Sequence, residues 1–143
     1  AQISTRKAIE LNPNFANAFV NLGNILRDLG KLKEAQISTR KAIELNPNFA
    51  IAYVNLGNIL KDLAKSKEAE IAYRKAIELN PNLADAYSNL GGILKEFGKL
   101  KESQKYSRQA IELNPNLAIA YYSLSLFKNF DVSKFWRVYL ASF

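Results

Sequence analysis

Apolar positions recur along this chain at intervals of three and four: Phe19, Leu22, Gly23 and Leu26 make one stripe, and Ala35, Thr39 and Ala42, with Ile43 beside them, make a second. That spacing follows the 3.6-residue turn and predicts two amphipathic helices in succession. Gly30 and Lys31 separate them. Asn46-Pro47 ends the second, because proline lacks an amide hydrogen and restricts the residue before it, while the Asn side chain can cap or turn the chain.

The pattern then repeats. Ala-Ile-Glu-Leu-Asn-Pro-Asn starts at Ala8, Ala42, Ala76 and Ala110, always 34 residues apart, and residues 1–16 are identical to residues 35–50. Strict self-similarity at such a period is the signature of a solenoid built from one supersecondary unit. The chain is expected to divide into 1–15, the second helix of an incomplete leading repeat; three full repeats at 16–49, 50–83 and 84–117; and a divergent terminal segment at 118–143. Opening in mid-repeat without a Met, it reads as an excerpt of a longer or processed chain.

With this period and these positions, the chain resembles the tetratricopeptide repeat (TPR) family, whose pattern is W-x2-L-G-x2-Y, then A-x3-F, then P. The first unit supplies Phe19, Leu22, Gly23, Leu26, Ala35, Thr39, Ala42 and Pro47. The second supplies Tyr53, Leu56, Gly57, Leu60, Ala69, Tyr73, Ala76 and Pro81. In the third, Tyr87, Leu90, Gly91, Leu94, Ala110 and Pro115 fit, while Ser103 and Ser107 replace the alanine and the aromatic. The resemblance implies an all-α, right-handed superhelix of helix-turn-helix repeats. Glycine inside a helix costs about 1 kcal/mol relative to alanine, so Gly23, Gly57 and Gly91 call for a reason, and close approach of the neighbouring helix is one.

In this family the first helix of each pair lines the concave side and generally holds a peptide or protein segment. Spacing selects the residues of that face: Asn17, Val20, Asn21, Asn24 and Asp28; then Ile51, Val54, Asn55, Asn58 and Asp62; then Asp85, Ser88, Asn89, Gly92 and Glu96. Asn21, Asn55 and Asn89 hold one place in three successive repeats. Each carries an acceptor and two donors, so a row of them can bond the backbone of an extended peptide without reading its side chains. The row is similar to the asparagine ladder of O-linked N-acetylglucosamine transferases; solvated surface amides inherited by duplication are the plainer reading. The carboxylate clamp of heat-shock co-chaperones would fall on Val20 with Asn24, Asn55, and Asp85 with Asn89, where only the asparagines match.

Composition narrows the chemistry. The 143 residues include no His, Cys or Met. This chain therefore supplies no Cys/His zinc site, thiol nucleophile, disulfide or Ser-His-Asp relay. No carboxylate pair stands out as general acid and base, so the expectation is a non-enzyme without cofactor or metal. The 20 Lys/Arg against 13 Asp/Glu give a net charge of +7. Lys31/Lys33, Lys65/Lys67 and Lys99/Lys101 recur at the turns, and Arg40-Lys41 and Arg74-Lys75 on the second helices, with Glu34, Glu68 and Glu102 nearby. These read as solvated faces rather than a nucleic-acid surface, which would interleave them with exposed aromatics. No apolar run approaches a membrane span, and the missing cysteines fit a reducing, cytoplasmic setting.

After Ala118 the pattern lapses. Asp131 or Ser133 can cap a last helix carrying Phe135, Trp136, Tyr139, Leu140 and Phe143, more aromatic than any repeat helix. It reads as a capping helix or as a docking surface. As a docking surface it would stack head-to-tail on another copy, giving an oligomer or filament, or seat a following domain, as in TPR arrays fused to bacterial glycosyl- or sulfotransferases. The expected function is a protein–protein interaction scaffold holding an extended peptide or partner segment; self-assembly, or recruiting substrate for a transferase, are the alternatives.

Overall fold

The computed structural model describes residues 15–117, and the leading and trailing segments, with Phe135, Trp136, Tyr139, Leu140 and Phe143, lie outside the described residues. The chain divides into two compact bodies, residues 1–80 and 81–143. The first body holds α1 (Ala16–Asp28), α2 (Leu32–Leu45), α3 (Ala50–Asp62) and α4 (Ser66–Leu79); the second holds α5 (Ala84–Glu96) and α6 (Leu100–Leu113). The fold is an all-α helical-repeat solenoid, its helices paired as α1/α2, α3/α4 and α5/α6.

Each first helix ends the same way. In α1 the Gly30 amide donates to the Arg27 carbonyl and the Lys31 amide to the Leu26 carbonyl, with Gly30 at φ +77°. This closure satisfies carbonyls that the helix leaves open, and it requires a left-handed residue at its turn. Gly98 serves α5 at φ +75°, but α3 places Ala64 there at φ +60°. The second helices end on asparagine, as the Asn-Pro pairs predict. Asn46 and Asn114 leave the helical conformation, and their Oδ1 atoms accept from the Asn48 and Asn116 amides at 3.2 and 3.1 Å.

Within each pair the helices meet on small residues. Ala35, Ala42, Ala69, Ala76, Ser103 and Ala110 are fully buried. A Cβ on Gly57 would stand 2.6 Å from the Tyr73 ring, and one on Gly91 2.6 Å from Ser107 Oγ; on Gly23 it would collide with Thr39 Oγ1. The glycines therefore make room for the residue at one repeated place on the second helix. In the second body Ser103, where the family pattern has alanine, donates from Oγ to the Gly91 carbonyl at 2.7 Å. The substitution keeps the small volume and adds a bond between the two helices.

In the first body, one cluster joins Leu22, Leu26, Ala35 and Ile59, with Leu63 against it, and another joins Val20, Ala42 and Ala52. Both clusters draw on α1, α2 and α3, so one pair covers the apolar face of the next.

Candidate functional site

The residues expected to face a partner lie on α1, α3 and α5. On α1, Asn17, Asn21, Asn24 and Asp28 are exposed and follow one another by four, three and four residues, a single helical stripe. On α3 the matching residues are Ile51, Asn55, Asn58 and Asp62: Ile51 and Asp62 are exposed, Asn55 and Asn58 half-buried. In the second body Asp85 and Glu96 on α5 are exposed and Asn89 and Gly92 half-buried.

Val20, Val54 and Ser88 must be removed from that set. They keep only 4%, 8% and 5% of their surface. Val20 packs against Ala42 and Ala52, on the flank where α3 crosses α1. Helical spacing places Val20 beside the asparagines, but α3 covers that side. The open stripe is narrower and more polar than the sequence suggests.

Two contacts of the first body bring to this face residues that were not among its candidates. Arg27 Nε, on α1, donates to Asp62 Oδ2, on α3, at 2.6 Å, joining successive first helices at the acidic end of the stripe. Tyr73, on α4, reaches beneath Gly57 and donates from its hydroxyl to Asn58 Oδ1 at 2.6 Å. Burial holds the Tyr73 hydroxyl protonated well above the usual tyrosine range; Arg27 works against that shift and Asp62 with it. The sequence did carry a signal for the second contact. Residues 15 apart pair Asn58 with Tyr73, but Asn24 with Thr39 and Gly92 with Ser107, so only the second repeat combines an amide with a side chain long enough to reach it.

The opposite side of the first body carries a groove of about 1360 Å³ bordered by Phe19, Leu22, Ile37, Lys41, Ile43 and Tyr53, among others. None of the stripe residues borders it. On this side Ile37 and Ile71 are 70% and 68% exposed. The basic residues of the second helices sit among acids: Arg40 with Glu68 at 3.8 Å, Lys41 with Glu44 at 3.4 Å, Arg74 with Glu70 at 3.7 Å and Lys75 with Glu78 at 3.5 Å. The basic residues of these two second helices are thus locally compensated, as expected of a solvated face.

Among the described residues, no group of three or more acids could hold a metal ion, and no helix is long and apolar enough to cross a membrane.

The repeat positions have counterparts in known proteins. Three tetratricopeptide-repeat models match the sequence: one over residues 50–83, a second over 23–63 and a third over both 5–37 and 72–105. No curated protein matches it. Among solved structures, MamA is 25% identical, superposes with a TM-score of 0.79 and covers 98% of this chain and 81% of its own. YrrB, described as a TPR protein with an unusual peptide-binding site, is 31% identical with a TM-score of 0.80, covering 86% of this chain and 63% of its own. The first TPR of Spaghetti, solved with an HSP90 peptide, shares the fold at 24% identity and a TM-score of 0.72, over 89% of this chain and 92% of its own. With the period, the helix pairs and the family models in agreement, this chain belongs to the tetratricopeptide-repeat family.

Proposed function

We propose that the chain is a non-catalytic protein-interaction scaffold, and that it holds an extended peptide or partner segment along the asparagine-bearing face of its first helices. The observation that carries this reading is the paired register in the first body: Asn21 and Asn24 on α1 recur as Asn55 and Asn58 on α3, while the valines beside them are buried. An amide in a fixed row meets the backbone of an extended chain with donor and acceptor together, which offsets the desolvation of the stripe when it is covered. Likeness to YrrB, whose description includes a peptide-binding site, supports the same use.

The stripe favours backbone recognition over capture of an acidic terminus. Asp28 and Asp62 stand at its end, and Asp62 already holds Arg27 at 2.6 Å. A carboxylate there would meet like charge. The test is chemical-shift mapping with a peptide selected from a random-sequence display library on the wild-type chain. Shifts centred on Asn21, Asn24, Asn55 and Asn58 support the reading; shifts centred on Ile37 and Ile71 would move the site to the opposite side.

A further inference from the structure

The turns between first and second helices differ in charge balance from the helices they join. In the first body Lys31, Lys33, Lys65 and Lys67 are exposed, and none of them makes an ion pair among the described residues. The acids around them are held elsewhere: Asp62 by Arg27 at 2.6 Å and Glu68 by Arg40 at 3.8 Å, while Glu34 is engaged too. Asp28 belongs to the asparagine stripe. Because the second-helix cations are neutralised in place, the uncompensated positive charge of this body lies at its turns.

The two turns share one edge. Leu63, just past α3, packs on Leu22, Leu26 and Ala35 of the preceding pair, and the Arg27–Asp62 contact joins the same ends. Apolar side chains stand out among the lysines: Leu29 keeps 56% of its surface, and in the second body the equivalent turn exposes Phe97 at 36% and Leu100 at 50%, beside Lys101. Such side chains are unfavourable in water and gain at an interface that is apolar just below a charged surface.

We propose that the turn edge is a peripheral docking surface for an anionic lipid bilayer, with the lysines over the headgroups and Leu29, and in the second body Phe97 and Leu100, entering the headgroup boundary. The large groove of the first body is bordered by none of its edge residues Leu29, Lys31, Lys33, Lys65 and Lys67. Protruding turns of this kind do not surround a peptide, and in the first body no aromatic ring among these lysines offers a nucleic-acid base a stacking partner. A bilayer needs neither, because its charge is spread over a plane that each turn can meet by itself. Docking there leaves Asn21, Asn24, Asn55 and Asn58 to a partner segment, so the inference stands apart from the peptide reading.

The experiment measures cosedimentation of the chain with vesicles of pure phosphatidylcholine and of an equal mixture of phosphatidylcholine and phosphatidylserine. Binding to the mixed vesicles alone, declining as salt is added, is the expected result. Each lysine near an anionic surface contributes about fivefold to the partition, so Lys31→Gln with Lys65→Gln should lower it about twentyfold. Lys41→Gln with Lys75→Gln removes the same charge from the second helices and should lower it far less. Leu29→Ser with Leu100→Ser should weaken binding without changing its dependence on salt. No binding to the mixed vesicles, or equal loss in the two lysine variants, overturns the proposal. Binding to single-stranded DNA or polyaspartate with none to vesicles overturns it as well, and reassigns the edge to a polyanionic macromolecule.

Discussion

Arg27 and Asp62, thirty-five residues apart, meet at 2.6 Å and tie α1 to α3. Both side chains keep about a third of their surface, 33% and 34%. Solvent screening at that exposure limits the pair to about 0.2–1 kcal/mol. Asp62→Asn is expected to lower stability by no more than this in urea unfolding, with the difference shrinking as salt is added. A loss of several kcal/mol that salt leaves unchanged would assign the pair a buried, structural role instead.

Ala64 stands at φ +60° in the turn where the other first helices place Gly30 and Gly98. An L residue in this region costs about 1–2 kcal/mol, partly offset by the extra freedom glycine brings to the unfolded chain. Ala64→Gly is therefore expected to raise stability by about 0.5–1 kcal/mol, and Gly30→Ala to lower it by a similar amount. Chemical denaturation of both variants checks the two signs together.

Adjacent glycines of α5 should respond oppositely to alanine. A Cβ on Gly91 would lie 2.6 Å from Ser107 Oγ and 3.3 Å from the Ser103 carbonyl, whereas one on Gly92 meets nothing within 4 Å. Gly92→Ala should stabilise by up to about 1 kcal/mol through helix propensity. Gly91→Ala should destabilise by about 1–3 kcal/mol through overpacking. Thermal unfolding of the pair decides it, since equal shifts would contradict the close helix approach.

The Tyr73 hydroxyl starts from an ordinary value of 10.0 and burial raises it. The unfolded chain therefore releases this proton at lower pH than the folded chain does. The contribution is intact below pH 10.0 and declines above it, by about 1.4 kcal/mol per pH unit while only the unfolded form ionises. Tyr73→Phe should remove that part of the alkaline loss, which a comparison of urea midpoints from pH 9 to 12 would reveal.

Helix pairing, the small-residue contacts and the Asn-Pro stops were readable from the 34-residue period because each follows from local geometry. The burial of Val20, Val54 and Ser88 was not, since spacing on one helix does not say which flank its neighbour covers. Asn21 and Asn55 were singled out by recurrence. Tyr73 was readable only as the aromatic of the family pattern and Arg27 not at all, because the side chains they bond, Asn58 and Asp62, lie on other helices.

The central claim is that the asparagine face of the first helices holds the partner. Its most direct test is the affinity of a display-selected peptide for the chain with Asn21 and Asn55, both in the first body, changed to alanine, alongside a control carrying Ile37→Ser and Ile71→Ser on the second helices. Marked weakening in the asparagine variant, with wild-type affinity in the control, is the predicted result. Unchanged affinity in the asparagine variant would contradict it.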